Sequence, residues 1–201
     1  MEEIFKLNDK MADQIIEEFY ENRKIILNYN ITEECIESVL AYLMKWEMED
    51  VGKAKEDRKP VTIYCNSGGG YVDVGLTLID FIQNMDTPVR MVVLSNAYSM
   101  MGLIILAVPR ERRFAFKNSS ILIHDGSTGA YTSTSKMKDI MRFQDETEER
   151  IKSLILDNTD ISEELFEKKY ACEWFLYAQE AKEHGIIGNI IGEDVKLRDI
   201  L

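Results

Sequence analysis

The sequence is poor in the residues that build several common classes of protein. Only 3 of its 201 residues are cysteines, and they are widely scattered, so neither a disulfide framework nor a zinc knuckle is expected. Basic residues are outnumbered, and the net charge of −12 argues against nucleic acid or an anionic membrane as a partner, because both need clustered Lys and Arg. The longest apolar run, residues 100–108, is far shorter than the roughly 20 residues that span a bilayer. The first residues lack the basic start and apolar stretch of a secretory signal, so a cytoplasmic location is expected.

Short β-branched segments alternate with helical segments along the chain. Strands are predicted at residues 24–27, 61–65, 89–94, 113–116, 120–124 and 186–191. A long helix is predicted over residues 135–156. Strands that alternate with helices are typical of βαβ units, so residues 1–201 are expected to form one α/β domain with a mainly parallel sheet. Residues 1–23 form an amino-terminal segment of this domain.

Histidine is scarce, with only 2 in the chain, and this narrows the search for chemistry. His184 precedes Gly185 in the last turn of a predicted helix, where a cationic or polar residue is expected from the helix dipole alone. His124 ends an apolar strand where a loop rich in Gly, Ser and Thr begins. Strand ends beside loops are where α/β proteins place functional residues. Taken alone, His124 fits either a catalytic base or a solvated strand-end histidine.

Ser99 follows the predicted strand 89–94 and opens a short apolar helix. The free N–H groups at a helix start can stabilise an anion that forms on an attacked carbonyl. The ordinary alternative is an N-cap serine. The segment is not the G-x-S-x-G elbow of α/β-hydrolases, since Ala97 and Met101 stand at the glycine positions.

The Asn-Ser-Gly-Gly-Gly segment at residues 66–70 directly follows another predicted strand. Such a glycine run lets backbone N–H groups approach a ligand closely, as a phosphate cradle or as half of an oxyanion hole. It is neither a Walker loop nor a dinucleotide-binding loop, because Tyr71 and Val74 stand where those motifs require other residues. A plain tight turn is the alternative.

Four short motifs, in order, resemble the proteolytic subunit of the Clp protease family. They are Asn-Ser-Gly-Gly-Gly at 66–70, Ala-Tyr-Ser-Met at 97–100, Ile-His at 123–124 and Ala-Gln-Glu-Ala-Lys-Glu-His-Gly-Ile-Ile at 178–187. The family carries Asn-Ser-Pro-Gly-Gly, Ala-Ser-Met, Ile-His and a segment like Ala-Glu-Glu-Ala-Lys-Glu-Tyr-Gly-Leu-Ile at the matching places. The match needs no gaps between residues 61 and 191.

The resemblance implies a serine endopeptidase with a crotonase-like α/β superhelix of βαβ units. Ser99 then corresponds to the nucleophile and His124 to its general base, so their side chains should lie within hydrogen-bond reach, roughly 2.6–3.2 Å. Glu173 falls on the family's triad aspartate. The backbone N–H groups of Gly70 and Met100 correspond to the oxyanion hole.

The same resemblance implies the substrates and partners. Gly69, Thr128 and Gly129 correspond to substrate-binding positions, the last two in the loop 126–132 that matches the family's peptide-aligning strand. The substrates would be unfolded polypeptides, enclosed by stacked heptameric rings that meet through a protruding handle helix, here residues 135–156. An ATP-dependent unfoldase is a possible partner, and no metal or cofactor is required.

The sequence also departs from the family. Gly68 replaces a proline in the glycine turn, and Tyr98 and Met101 replace small residues beside the nucleophile, which predicts a narrower or differently shaped pocket. Asp125 follows His124 where the family has Gln-Pro. The residues before Lys24 match the family's gating loop poorly, which leaves unfoldase docking open.

Other interpretations of the sequence remain. For Glu173 the alternative is a surface glutamate, with Asp125 as another group able to orient the imidazole of His124. The whole protein could be a catalytically inactive ring subunit. A crotonase-type acyl-CoA enzyme is less favoured, because that class relies on a carboxylate and an adenine pocket. A protein-interaction module would leave the combination of Ser99, His124 and Gly70 unexplained.

Overall fold

The computed structural model describes residues 9–127, 129 and 132–201. In this part of the chain seven strands form one sheet. The strands are β1 (Lys24–Leu27), β2 (Val61–Ser67), β3 (Val89–Tyr98), β4 (Arg113–Phe116), β5 (Ser120–Ile123), β6 (Trp174–Tyr177) and β7 (Asn189–Ile191). The helices are α1 (Asp9–Glu21), a π-helical turn (Ile36–Leu40) that continues into α2 (Ala41–Glu49), α3 (Val72–Asn84), α4 (Met100–Ile104), α5 (Thr134–Asn158), α6 (Glu163–Lys169) and α7 (Ala178–Glu183).

The main path of the sheet runs β1-β2-β3-β4-β7, with every neighbouring pair parallel. The central strand β2 is buried along almost its whole length, as expected for a parallel strand covered on both faces. Two of the helices also pack closely against each other. Gly75 of α3 lies against the side chain of Met100 at the start of α4, where a Cβ would collide with it.

The strand β3 divides between two neighbours, and this division positions the candidate site. Its first half, Met91 to Val93, pairs with β4, whereas Asn96 to Tyr98 pairs with β5. Because β3 and β5 are parallel here, their carboxyl ends lie side by side. Ser99 and His124, which directly follow these two strands, therefore start from adjacent positions at one edge of the sheet.

The helix α5 is attached to the core mainly through its carboxyl-terminal half. Its buried residues are Ile151 and Ile155. Near its middle, Met141 and Phe143 are exposed apolar side chains. Only the carboxyl-terminal half of α5 therefore contributes buried side chains to the core. In the described parts of the chain no helix is long and apolar enough to cross a membrane.

The predicted α/β class with a mainly parallel sheet is confirmed, with differences at particular elements. The strand expected at 89–94 extends to Tyr98, because its second half finds β5 as a partner. The last strand is shorter than expected and begins only at Asn189. The helix α1 and the strand β6 were not expected. In β6 the side chains alternate between buried and exposed, but all four are apolar or aromatic, so the sequence shows no alternation.

Candidate active site

Ser99 occupies a strained turn between β3 and α4. Its backbone has φ 53° and ψ −124°, a conformation that non-glycine residues seldom adopt and that costs about 1–3 kcal/mol. The surrounding structure holds it in place, since its N–H donates to the oxygen of Leu122 at 3.0 Å and its own oxygen accepts from the N–H of Leu103 at 3.3 Å. The turn thus resembles a nucleophile elbow without the flanking glycines that signal one in a sequence.

His124 is held by a carboxylate that comes from a distant part of the chain. Its Nδ1 lies 2.8 Å from Oε1 of Glu173. The antiparallel pairing of β5 with β6 explains the contact, because Ile123 lies opposite Trp174 and the next residue on each side brings the two groups together. A proton on Nδ1 shared with the carboxylate leaves Nε2 as the acceptor of the neutral ring.

The Nε2 atom of His124 is buried and has no hydrogen-bond partner among the described residues. Ser99 and His124 line the same cavity, yet the hydrogen bond expected between them is not formed. Buried polar atoms are nearly always paired, so an unpaired one is a signal that needs a reason. Hydrogen bonds between catalytic groups are often long without substrate and tighten only in the complex.

The glycine turn packs directly against Ser99. Gly69 has φ +95°, and a Cβ built there would lie 2.7 Å from the Cβ of Ser99 and 3.0 Å from the backbone nitrogen of Met100. Only glycine permits this approach. The turn and the first residue of α4 therefore present their backbone groups to the same space.

The backbone N–H groups of Gly70 and Met100 are available in this arrangement. On one side of the turn, Ile31 donates to the oxygen of Gly69 and accepts from the N–H of Tyr71, both at 2.8 Å. These two bonds do not use the N–H of Gly70. Neither Gly70 nor Met100 donates a backbone hydrogen bond among the described residues. Two free N–H groups beside a serine can stabilise an oxyanion.

A small, partly open cavity of about 40 Å³ is lined by Ser99 and His124. Its apolar wall consists of Val72, Leu103, Ile123 and Ile151. Gln144, Glu148 and Tyr170 form the polar part of its lining. These last three residues were not predicted from the sequence. The only signal for the first two is helical spacing, because Gln144 and Glu148 lie seven and three residues before the buried Ile151 on one face of α5.

The side chain of Tyr170 lies in an unusual electrostatic environment. Burial raises its pKa to about 12, and the nearby carboxylates of Glu148 and Asp125 act in the same direction. Its hydroxyl therefore stays protonated at neutral pH. The N–H of Asp125 donates to the backbone oxygen of Tyr170 at 2.8 Å, which joins the loop after β5 to the end of α6.

Several other residues that the sequence singled out do not line the cavity. Tyr98 and Met101 were expected to narrow it, but neither lines it. The Tyr98 hydroxyl bonds to Ser120 at 2.7 Å, and Met101 is fully buried in the core. Asp125 does not replace Glu173 at His124, whose Nδ1 is bonded to Glu173. His184 ends α7 and packs edge-on against a tryptophan ring, in agreement with a structural role.

The predicted substrate loop is described only in part. Gly129 is exposed and does not line the cavity beside Ser99, and nothing lies within 4 Å of a Cβ built there. Thr128 lies outside the described residues. Gly126, at the start of the loop, does line the cavity.

Comparisons with known proteins agree with this arrangement of elements. The sequence profile of the Clp protease family matches residues 7–194, a range that contains the glycine turn, Ser99, His124 and Glu173. The ATP-dependent Clp protease proteolytic subunit 2 of Treponema pallidum (strain Nichols) is 29% identical over 175 residues, which cover 87% of this chain and 85% of the relative. The protein of the same name from Treponema denticola is 29% identical over 185 residues, which cover 92% of this chain and 88% of the relative. The chain described here belongs to the Clp protease family.

Proposed function

We propose that this protein is a serine endopeptidase that cleaves peptides or unfolded polypeptides. Ser99 is the nucleophile, His124 the general base and Glu173 the carboxylate that orients the imidazole. One observation carries the proposal. The buried Nε2 of His124 has no partner among the described residues, while it shares a cavity with a serine held in a strained turn. A side chain with only a structural role would have both ring nitrogens satisfied.

The chemistry follows from the positions of these groups. Nε2 of His124 takes the proton of the Ser99 hydroxyl as Oγ attacks the carbonyl carbon of the scissile bond. The carboxylate of Glu173 stabilises the imidazolium that forms, and the N–H groups of Gly70 and Met100 bind the oxyanion. The imidazolium then gives its proton to the leaving amine. Water, activated by the same base, hydrolyses the ester on Ser99 and regenerates the hydroxyl.

The exposed surface supports assembly of this chain into a closed compartment. Ile140, Met141 and Phe143 are exposed apolar side chains on α5. Contact between copies through this helix would cover them, as in the stacked heptameric rings of the family. We expect sedimentation at micromolar concentration to show a ring oligomer, and a protein that stays monomeric in physiological salt would contradict this part of the proposal.

A cytoplasmic unfoldase that hydrolyses ATP would deliver unfolded chains to such a compartment. Ile15 and Ile16 of α1 and Ile26 of the edge strand β1 are exposed and line one apolar groove, which offers a docking surface for it. Within the compartment, the extended substrate would lie along Gly69 and the loop that contains Thr128 and Gly129. The ATP requirement would belong to the unfoldase alone.

A catalytically inactive ring subunit is the second candidate, favoured by the missing hydrogen bond between Ser99 and His124. Hydrolysis of short fluorogenic peptides separates the two. We expect Ser99→Ala to lower kcat/KM by at least about a thousandfold with the oligomer intact. Ser153→Ala, an exposed serine on α5, is the matched control and should keep the parent activity. Undiminished hydrolysis by Ser99→Ala would reject Ser99 as the nucleophile.

A further inference from the structure

Among the described residues, the lining of the cavity includes one carboxylate, that of the exposed Glu148. Gln144 lies one helical turn before Glu148 on α5, and its Nε2 donates a hydrogen bond to Oε1 of Glu148 at 3.2 Å. Both residues line the cavity together with Ile151, which is buried in the core. The Gln144 amide therefore fixes the carboxylate on the face of α5 that closes the cavity.

The negative charge of Glu148 has no ion-pair partner among the described residues. The described residues that line the cavity include no lysine or arginine. Of the nearest basic residues on the same helix, Arg150 does not line the cavity, and Lys152 is engaged by Glu163 at 2.8 Å and by Glu167 at 2.6 Å. Glu148 itself forms no ion pair in the described part of the chain. An uncompensated carboxylate on the lining of a partly enclosed cavity attracts a cation.

The lining of the cavity selects the kind of cation. Ser99, His124 and Glu148 line the same cavity, together with the apolar side chains of Val72, Leu103 and Ile151. Lysine and arginine place an apolar stem along such apolar side chains and carry a charged group at its end. Since the nucleophile lines the cavity, the side chain that enters it belongs to the residue whose carbonyl is attacked.

We propose that Glu148 gives this protein a preference for cleaving after lysine or arginine. This inference rests on the proposed peptidase function and specifies its substrate class. The ammonium or guanidinium group of the substrate side chain has only hydrogen-bond donors. It donates to the Glu148 carboxylate, with the protonated Tyr170 hydroxyl beside it. Glu148 is a specificity-determining residue in this scheme and takes no part in the bond-breaking step.

The test uses fluorogenic peptides that are identical except for lysine, leucine or glutamate before the fluorophore. The parent should show a higher kcat/KM for lysine than for leucine. Glu148→Gln should lower kcat/KM for the lysine peptide by about tenfold and leave the leucine peptide unchanged, because one charge-assisted hydrogen bond is lost. Glu148→Lys should favour the glutamate peptide.

The matched control is Glu149→Gln, which removes the same charge from the adjacent residue of α5. Glu149 is exposed and does not line the cavity, so the ratio of lysine to leucine hydrolysis should equal that of the parent. A ratio that falls equally in both variants, or in neither, would overturn this inference while hydrolysis itself upholds the peptidase function. A parent that hydrolyses none of the three peptides would overturn the peptidase function and this inference with it.

Discussion

Arg23 and Ser99 are the two non-glycine residues with positive φ in the described part of the chain, at 56° and 53°. Both are held in a strained conformation by their surroundings. Arg23 forms a two-pronged ion pair with Asp50, at 2.6 and 2.9 Å, and the two side chains are only 6% and 1% exposed. Asp50 also accepts from Lys53 and Thr87. Both carboxylate oxygens of Asp50 are thus paired.

The region of Ser99 differs because a polar atom there, Nε2 of His124, has no hydrogen-bond partner in the described part of the chain. The nearby pair of His124 and Glu173 has a single hydrogen bond, with the side chains 20% and 63% exposed. Its Nε2 atom stays unpaired among the described residues. Backbone strain alone therefore does not mark a functional site in this protein. In the proposed mechanism, the strain at Ser99 matters because the unpaired Nε2 of His124 shares its cavity and is free to accept a proton.

Substitutions at the fully paired Arg23 and Asp50 should have the largest effect on the free energy of unfolding. Asp50→Asn leaves the buried guanidinium of Arg23 without its counter-charge, so the free energy of unfolding should fall by about 3–5 kcal/mol. Denaturant titration of the assembled protein measures the change. Glu49→Gln is the matched control, because Glu49 contacts the same guanidinium from a side chain that is 45% exposed. The control should cost less than about 1 kcal/mol, and an equally small cost for Asp50→Asn would refute the contrast.

Substitutions around His124 should instead lower the catalytic activity. Glu173→Gln keeps the size of the side chain but removes the charge that stabilises the imidazolium. We expect kcat/KM to fall by about tenfold to a hundredfold, less than for a buried triad carboxylate because water reaches Glu173.

The free energy of unfolding of Glu173→Gln should match that of the parent. Glu180→Gln, an exposed glutamate in the following helix, controls for loss of charge in general. Activity of Glu173→Gln within about threefold of the parent would remove Glu173 from the mechanism.

The smallest expected effect is a pH dependence of stability that belongs to the buried pair. Hydrogen bonds from the Arg23 guanidinium hold the pKa of the Asp50 carboxyl well below its usual range. The stability that this supplies is complete above the pKa of an unfolded aspartate, about 4, and is lost as pH falls towards the lower folded pKa. The stability difference between the parent and Asp50→Asn should therefore narrow between about pH 5 and about pH 3. A difference that stays constant would contradict the assignment.

Local sequence patterns predicted much of the fold and only part of the site. The alternation of strands and helices was sufficient for the α/β class, and the ends of two apolar strands pointed to Ser99 and His124. The contact of Glu173 with His124 depends on the pairing of β5 with β6, a long-range interaction that no local pattern encodes. Its position was expected only from the family resemblance.

The polar lining of the cavity was also beyond the reach of local patterns. The sequence predicted the helix that carries Glu148, but its side chain lines the cavity because α5 packs on the core through Ile151 and Ile155. The strain at Ser99 was also unpredictable, because the flanking glycines that usually accompany it are absent. Tertiary pairing, and not local propensity, determines each of these features.

The most direct test of the account is the site at which a fluorophosphonate reacts, identified by mass spectrometry of the assembled protein. We expect one adduct, on Oγ of Ser99, that forms more slowly in Glu173→Gln and at the parent rate in Glu49→Gln. An adduct on another serine, or no adduct on a folded and assembled protein, would contradict the assignment of Ser99 as the nucleophile.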